Sequence, residues 1–143
     1  MIDILPGISS TASALEAERI RMEVISQNIA HAHTIRGLDG KPYQRQQVVF
    51  EAVLQQHASA AGGAAPANVV VTRIEKDQRP PRLVADPTNP LADANGMIAM
   101  PNIDIPTEMV DYILASRAFE ANLAVVKNAR SMAMQTLAIG KRA

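Results

Sequence analysis

The chain has 143 residues, with fourteen basic and fourteen acidic side chains and so no formal net charge. That length suits one folding unit, and neutrality removes the electrostatic case for nucleic acid or an anionic membrane surface as partner. With no cysteine there is no disulfide framework, thiolate metal site or cysteine nucleophile, and no apolar run approaches the ~20 residues of a transmembrane segment.

The start, Met1 to Pro6, has neither the basic opening nor the apolar stretch of a cleaved signal peptide. Glycine and proline are absent from Ile8 to Arg36 and again from Thr107 to Ile139, while seven of the nine prolines fall between Pro42 and Pro101. Interior proline costs a helix ~3 kcal/mol and glycine ~1 kcal/mol. The spacing therefore predicts an N-terminal helix within residues 1–36, a β-rich or irregular middle module over 37–104, and a C-terminal helix over 105–143. The fold class is mainly α, with long N- and C-terminal helices and a small β-rich middle module.

Both outer segments repeat apolar residues at sevens. In the first, Ile8, Leu15, Met22 and Ile29 form a line, with Ile25 and Ala32 beside it. In the second, Ile105, Tyr112, Phe119, Val126 and Ala133 form one line, and Met109, Ser116, Leu123, Arg130 and Leu137 another. Such a repeat is a coiled-coil-type seam, although an ordinary buried helix also shows an apolar stripe. A second line at Val110, Ile113, Ala121 and Ala124, with Ile20 and Val24 on the first helix, has no obvious cover within one chain and argues for a partner surface. Asp104 or Thr107 is the expected cap of the second helix. Glu108 and Asp111 sit in its early turns as dipole-complementing acids, and Gly140, Lys141 and Arg142 close it.

In the middle, Asp39-Gly40 signals a turn, and Tyr43 to Leu54 and Asn68 to Glu75 are strand candidates. Residues 60–67, rich in alanine and glycine, read as a linker or loop tip. Pro80-Pro81 and the Asp86 to Pro90 cluster force extended or turning backbone, and Asn95-Gly96 marks a turn before a short strand at Met97 to Met100.

The search for chemistry finds little. Phosphate-loop, dinucleotide, nucleophile-elbow and zinc-protease motifs are all missing. His31 and His33 lie ~200° apart on a helix and cannot share an ion there, and His57 is the only third candidate ligand. Glu108, Asp111 and Glu120 form a carboxylate group on paper only. The basic turn Arg79 to Arg82 lacks the interleaved aromatics of a nucleic-acid surface. No enzyme activity, cofactor, metal or small-molecule substrate is expected.

Pro101-Asn102-Ile103-Asp104-Ile105, Glu108 to Ile113 and Ala115 to Asn122 closely resemble the C-terminal signature of bacterial flagellar basal-body rod proteins. Asp86-Pro87 with Asp93 to Gly96, Asn28 to Thr34, and Pro42 to Arg45 with Val48 to Glu51 are collinear with further motifs of that family, most closely of its proximal-rod members. His31 and His33 stand where the family usually has asparagine, and Met97 where it usually has tyrosine. The resemblance implies a structural subunit whose long N- and C-terminal helices pair in a coiled-coil-like layer and that polymerises helically through them, forming part of a hollow, torque-transmitting shaft. It implies a periplasmic rod location, export by the flagellar type III apparatus without a cleaved signal, and further copies, other rod subunits and a rod/MS-ring adaptor as partners. Ile8, Leu15, Met22, Ile25 and Ile29 are then expected to meet Met109, Tyr112, Phe119, Leu123 and Val126. Among the motif's polar residues, Asn28 and Asn122 are candidate register pins. Arg117 and Glu120 are either a bridge between subunits or an intrahelical pair; Asn102 and Glu108 complete the set. Another rod or adaptor subunit, or a non-flagellar coiled-coil protein, would keep the heptads, but the latter would not need the Pro101 to Asn122 run.

Overall fold

The computed structural model describes residues 6–37, 39–54 and 67–140. Its elements run α1 (Pro6–Ala30), β1 (Gln46–Leu54), β2 (Ala67–Lys76), β3 (Arg82–Ala85), β4 (Met97–Met100) and α2 (Ile105–Gly140). At 1.5 Å per residue the helices are about 37 and 54 Å long. Asp104 caps α2: its carbonyl accepts the Glu108 N–H at 3.0 Å and its carboxylate accepts the Thr107 N–H at 3.3 Å. Pro106 then falls among the first helical residues, whose N–H groups have no intrahelical acceptor in any case. Lys141 and Arg142, the expected closure, lie outside the described residues, as do His57 and most of the 60–67 linker.

The first helix ends earlier than the lack of breakers suggests. After Ala30 the chain turns, and Tyr43 N–H bonds back to the Thr34 carbonyl at 3.2 Å while the His31 and Tyr43 rings stack with centroids 4.7 Å apart. Gly40, at φ +76°, supplies the left-handed residue that the Asp39-Gly40 turn requires.

β1 and β2 form an antiparallel pair whose register shifts between Val49 and Phe50, leaving Thr72 as the extra residue of a bulge. The first strand begins at Gln46, three residues later than expected, because Tyr43 and Arg45 turn inward to other partners. The second two-stranded sheet joins β3 to β4. β4 coincides with its expected span; β3 was read only as extended backbone after the prolines. The β3–β4 connection is a chain of side-chain-stabilised turns, with Asp93 Oδ1 accepting the N–H groups of Asn95 at 2.8 Å and Met97 at 2.9 Å.

α1 is the hub: it packs against α2 on one side and against β1 and β2 on the other. Ser13 Oγ accepts the Val69 N–H at 3.1 Å, tying the β2 backbone to the helix. The tightly buried apolar residues are small or branched: Ala17, Val24 and Ile25 on α1, Ala32 in the turn after it, Ala115 on α2, Ile98 on β4 and Ile103 in the approach to α2. Val24, placed off the seam by its heptad position, is buried because α1 is covered on two sides.

Gly96 has φ +72°, and a Cβ there would stand 3.1 Å from Pro87 Cβ. Gly96→Val should therefore destabilise the protein by about 1–2 kcal/mol or more, the cost of a left-handed conformation for an L residue, read as a lower midpoint in urea unfolding.

Candidate functional site

Where the end of α1, the start of β1 and the start of α2 converge, the interior is polar. Two of the three largest fully buried side chains are Glu108 and Asn28. An asparagine amide offers two donors and an acceptor with two lone pairs, and Asn28 uses all four. Its Nδ2 donates to the Gln46 carbonyl and to Glu108 Oε2, each at 2.9 Å. Its Oδ1 accepts the Gln46 N–H at 2.9 Å and the Tyr43 hydroxyl at 3.2 Å. A helix side chain thus stands in for a neighbouring strand at the outer edge of β1.

Glu108 sits in the first turn of α2, where the helix dipole favours a carboxylate. Its second oxygen accepts from Arg45 Nε at 2.5 Å, and the other arm of that guanidinium lies 3.7 Å from Asp111. The expectation that Glu108 is an exposed dipole and solubility residue is therefore corrected: it is 1% exposed, because Asn28 and Arg45 replace the water it gives up. Burial, and secondarily the negative charge of Glu108, push the Tyr43 phenol above its ordinary range.

The other motif residues are placed as follows. Ile8, Leu15, Met22 and Ile29 are half-buried and Ile25 is fully buried. On α2, Phe119, Leu123 and Val126 are half-buried, while Met109 is 54% and Tyr112 41% exposed within the single chain. The line most covered is Glu108, Ala115, Asn122 and Ala129, one position before the Met109 line. Apolar residues surround α2 in its first turns, so hydropathy does not select a face there; the small Ala115 and the paired Glu108 do. Asn122 is half-buried and Asn102 exposed. Arg117 bonds Glu120 at 3.1 Å as an exposed intrahelical pair. Tyr43, Arg45 and Gln46 were not read as functional; they lay inside an expected strand, where nothing local reveals a partner on a helix.

Much of α2 beside its covered line is open and apolar. Val110, Ile113, Leu114, Val125, Met132 and Ile139 are each more than half exposed, a longer row than a lone soluble chain ordinarily presents. Among the described residues no group of His, Asp and Glu is arranged to hold a metal ion. None of the described helices is long and apolar enough to cross a membrane.

Removing one partner of a buried ion pair costs about 3–5 kcal/mol. Glu108→Leu should lose stability on that scale in chemical unfolding, whereas Arg117→Ala, at an exposed pair, should change it by less than about 0.5 kcal/mol. The raised Tyr43 pKa carries a sign. Above about pH 10, where an unfolded tyrosine ionises, the unfolded state sheds a proton that the folded state keeps, so stability falls as pH rises toward the folded value. Unfolding midpoints measured across that range should drop more steeply for the unmodified protein than for Tyr43→Phe.

Residues 94–139, spanning β4 and most of α2, match the family described as flagellar basal body rod FlgEFG protein C-terminal. Over 129 residues the chain is 43% identical to the flagellar basal-body rod protein FlgC of Salmonella typhimurium, covering 90% of this chain and 92% of that one. It is 37% identical to the FlgC of Bacillus subtilis, covering 94% and 97% of the two chains. With the FlgC of Borreliella burgdorferi the identity is 38%, over 95% and 97%. Likeness of this extent runs through both helices, both sheets and the polar junction between them, and the chain belongs to the FlgC family of flagellar basal-body rod proteins.

Proposed function

We propose that this chain is a structural subunit of the proximal part of the bacterial flagellar rod, where it polymerises helically around a hollow, torque-transmitting shaft. The observation that carries this reading, given the family, is the exposed apolar row on α2 from Val110 to Ile139. Val110, Ile113 and Leu114 lie off the line that α1 covers, and Met132 to Ile139 lie past the described start of α1, so no described residue of this chain covers the row and a neighbouring subunit is its proposed cover. With α1 already packed on α2, further copies and other rod subunits complete a coiled-coil-like inner layer in which Phe119, Leu123, Val126, Met109 and Tyr112 are packing residues. Met109 and Tyr112, open in one chain, belong to contacts between subunits. The middle module, residues 37–104, faces outward or interlocks with neighbours.

The role is mechanical and not catalytic. The rod/MS-ring adaptor and the type III export apparatus are the remaining partners, and the periplasmic rod is its location.

The direct test is to delete the gene and image isolated basal bodies by electron microscopy. Loss of the rod above a formed membrane ring, reversed by the intact gene, is the expected result; intact rods without the gene overturn the reading. A point variant separates folding from assembly. Ile113→Glu lies on the open row, so monomer stability should stay within about 0.5 kcal/mol, while swimming in soft agar is abolished.

A further inference from the structure

The chain is neutral overall, but its charges are sorted by place. Residues 36–45 and 73–82 carry seven cations against three anions, whereas residues 83–116 carry five carboxylates and no cation. The basic set surrounds a cleft of about 530 Å³ between the α1–β1 connection, the end of β2 and the start of β3. Pro42, Tyr43 and Pro81 contribute its apolar wall; Lys41, Lys76, Arg79 and the Glu108-paired Arg45 are its cations, against the carboxylates of Asp39 and Asp77. Asp77 holds Arg79 at 2.5 Å. Lys41 and Lys76 have no carboxylate partner among the described residues.

The acidic set includes a shaped counterpart. In the β3–β4 connection, Asp86 Oδ1 accepts the Thr88 hydroxyl at 2.7 Å, and Asp93 Oδ1 accepts the two turn N–H groups already described. The second oxygen of each carboxylate has no hydrogen-bond partner among the described residues. Leu91 stands between them, 43% exposed, and Pro87 and Pro90 restrict the backbone on either side of Asn89. A loop ordered by its own turns gives up little freedom on docking.

The connection does not fill the cleft of its own molecule. Pro81 and Asn102, which line the cleft, flank the open end of the β3–β4 ladder, and the connection closes the other end. Four residues of strand separate them, about 13 Å at 3.3 Å per residue.

We propose that the β3–β4 connection of one copy docks into the basic cleft of a second copy. Asp86 and Asp93 face Lys41 and Lys76, and Leu91 rests on the wall of Pro42 and Tyr43. This rests on the rod reading and names one contact within it. The two surfaces differ and lie on the same subunit, so the contact is head-to-tail, the kind that generates a helical array when its rotation does not close. Charge complementarity sets register and encounter more than affinity.

The absence of cysteine makes the test clean. A chain carrying Lys76→Cys and Leu91→Cys is co-expressed with the unmodified chain, so that rods still assemble, and isolated basal bodies are mildly oxidised. The expected result is a cross-linked dimer on a non-reducing gel at least tenfold above either single-cysteine chain and above a Glu16→Cys, Leu91→Cys control. Rods that contain the doubly substituted chain, shown by immunoblot, but give no dimer above those controls overturn the contact and leave the rod reading standing. Absence of the unmodified chain from wild-type rods overturns both. As a second variant, Lys41→Glu with Lys76→Glu should reduce swimming at least tenfold, and unchanged swimming also counts against the contact.

Discussion

Everything in this fold is referred to one contact, the side chain of Asn28 against that of Glu108. The two residues are eighty positions apart in sequence, and their bond sets where the end of α1 meets the beginning of α2. Through its remaining hydrogen bonds Asn28 also fixes the first residue of β1, and Arg45 closes the carboxylate from the strand side. Three elements thus share one origin. A buried ion pair is a poor source of net stability, because desolvation consumes most of the Coulomb gain. It does make alternative registers costly: a slip of either helix by one turn would leave Glu108 or Arg45 buried without a partner. An apolar junction would pack in several ways, which two alanine-rich helices would otherwise permit.

That fixed register matters because the rest of α2 is specified so loosely. Its apolar residues lie on several sides, and α1 covers only one. The buried residues of the two helices include the small Ala17 and Ala115, while larger ones, Leu114, Val125 and Met132, are more than half exposed. The chain invests its bulky apolar surface in what lies outside the monomer. This division of labour suits a subunit whose stability is completed by neighbours, and it agrees with the scarcity of aromatics, two tyrosines and two phenylalanines in the whole chain.

Much of the architecture was legible from glycine and proline alone. Their absence marked both helices, and Asp39-Gly40 and Asn95-Gly96 marked turns that the backbone uses, with both glycines at positive φ. β3 escaped notice because four residues after a proline pair carry no readable alternation. For a different reason, the expected face of α2, Met109, Tyr112, Phe119, Leu123 and Val126, does not contain the most buried line of Glu108 and Ala115. Hydropathy ranks residues one by one, and on that scale Glu108 belongs in water. Its burial depends on an amide from another helix and a guanidinium from a loop, a relation among distant residues that no local pattern encodes. Asn28 was singled out only through a family resemblance, and its four bonds supply the physical reason for its place there.

The two helices are unequal. Measured from the Asn28–Glu108 contact within the described residues, α2 runs 32 residues to Gly140 whereas α1 runs 22 back to Pro6, a difference of ten residues or roughly 15 Å. In the proposed rod an overhang of this size lets the joints between stacked subunits be staggered. The end of every short helix would then lie beside the unbroken middle of a longer one, as joints are staggered between courses of brick. A twisting load crossing a wall staggered in that way would meet continuous helix beside each joint.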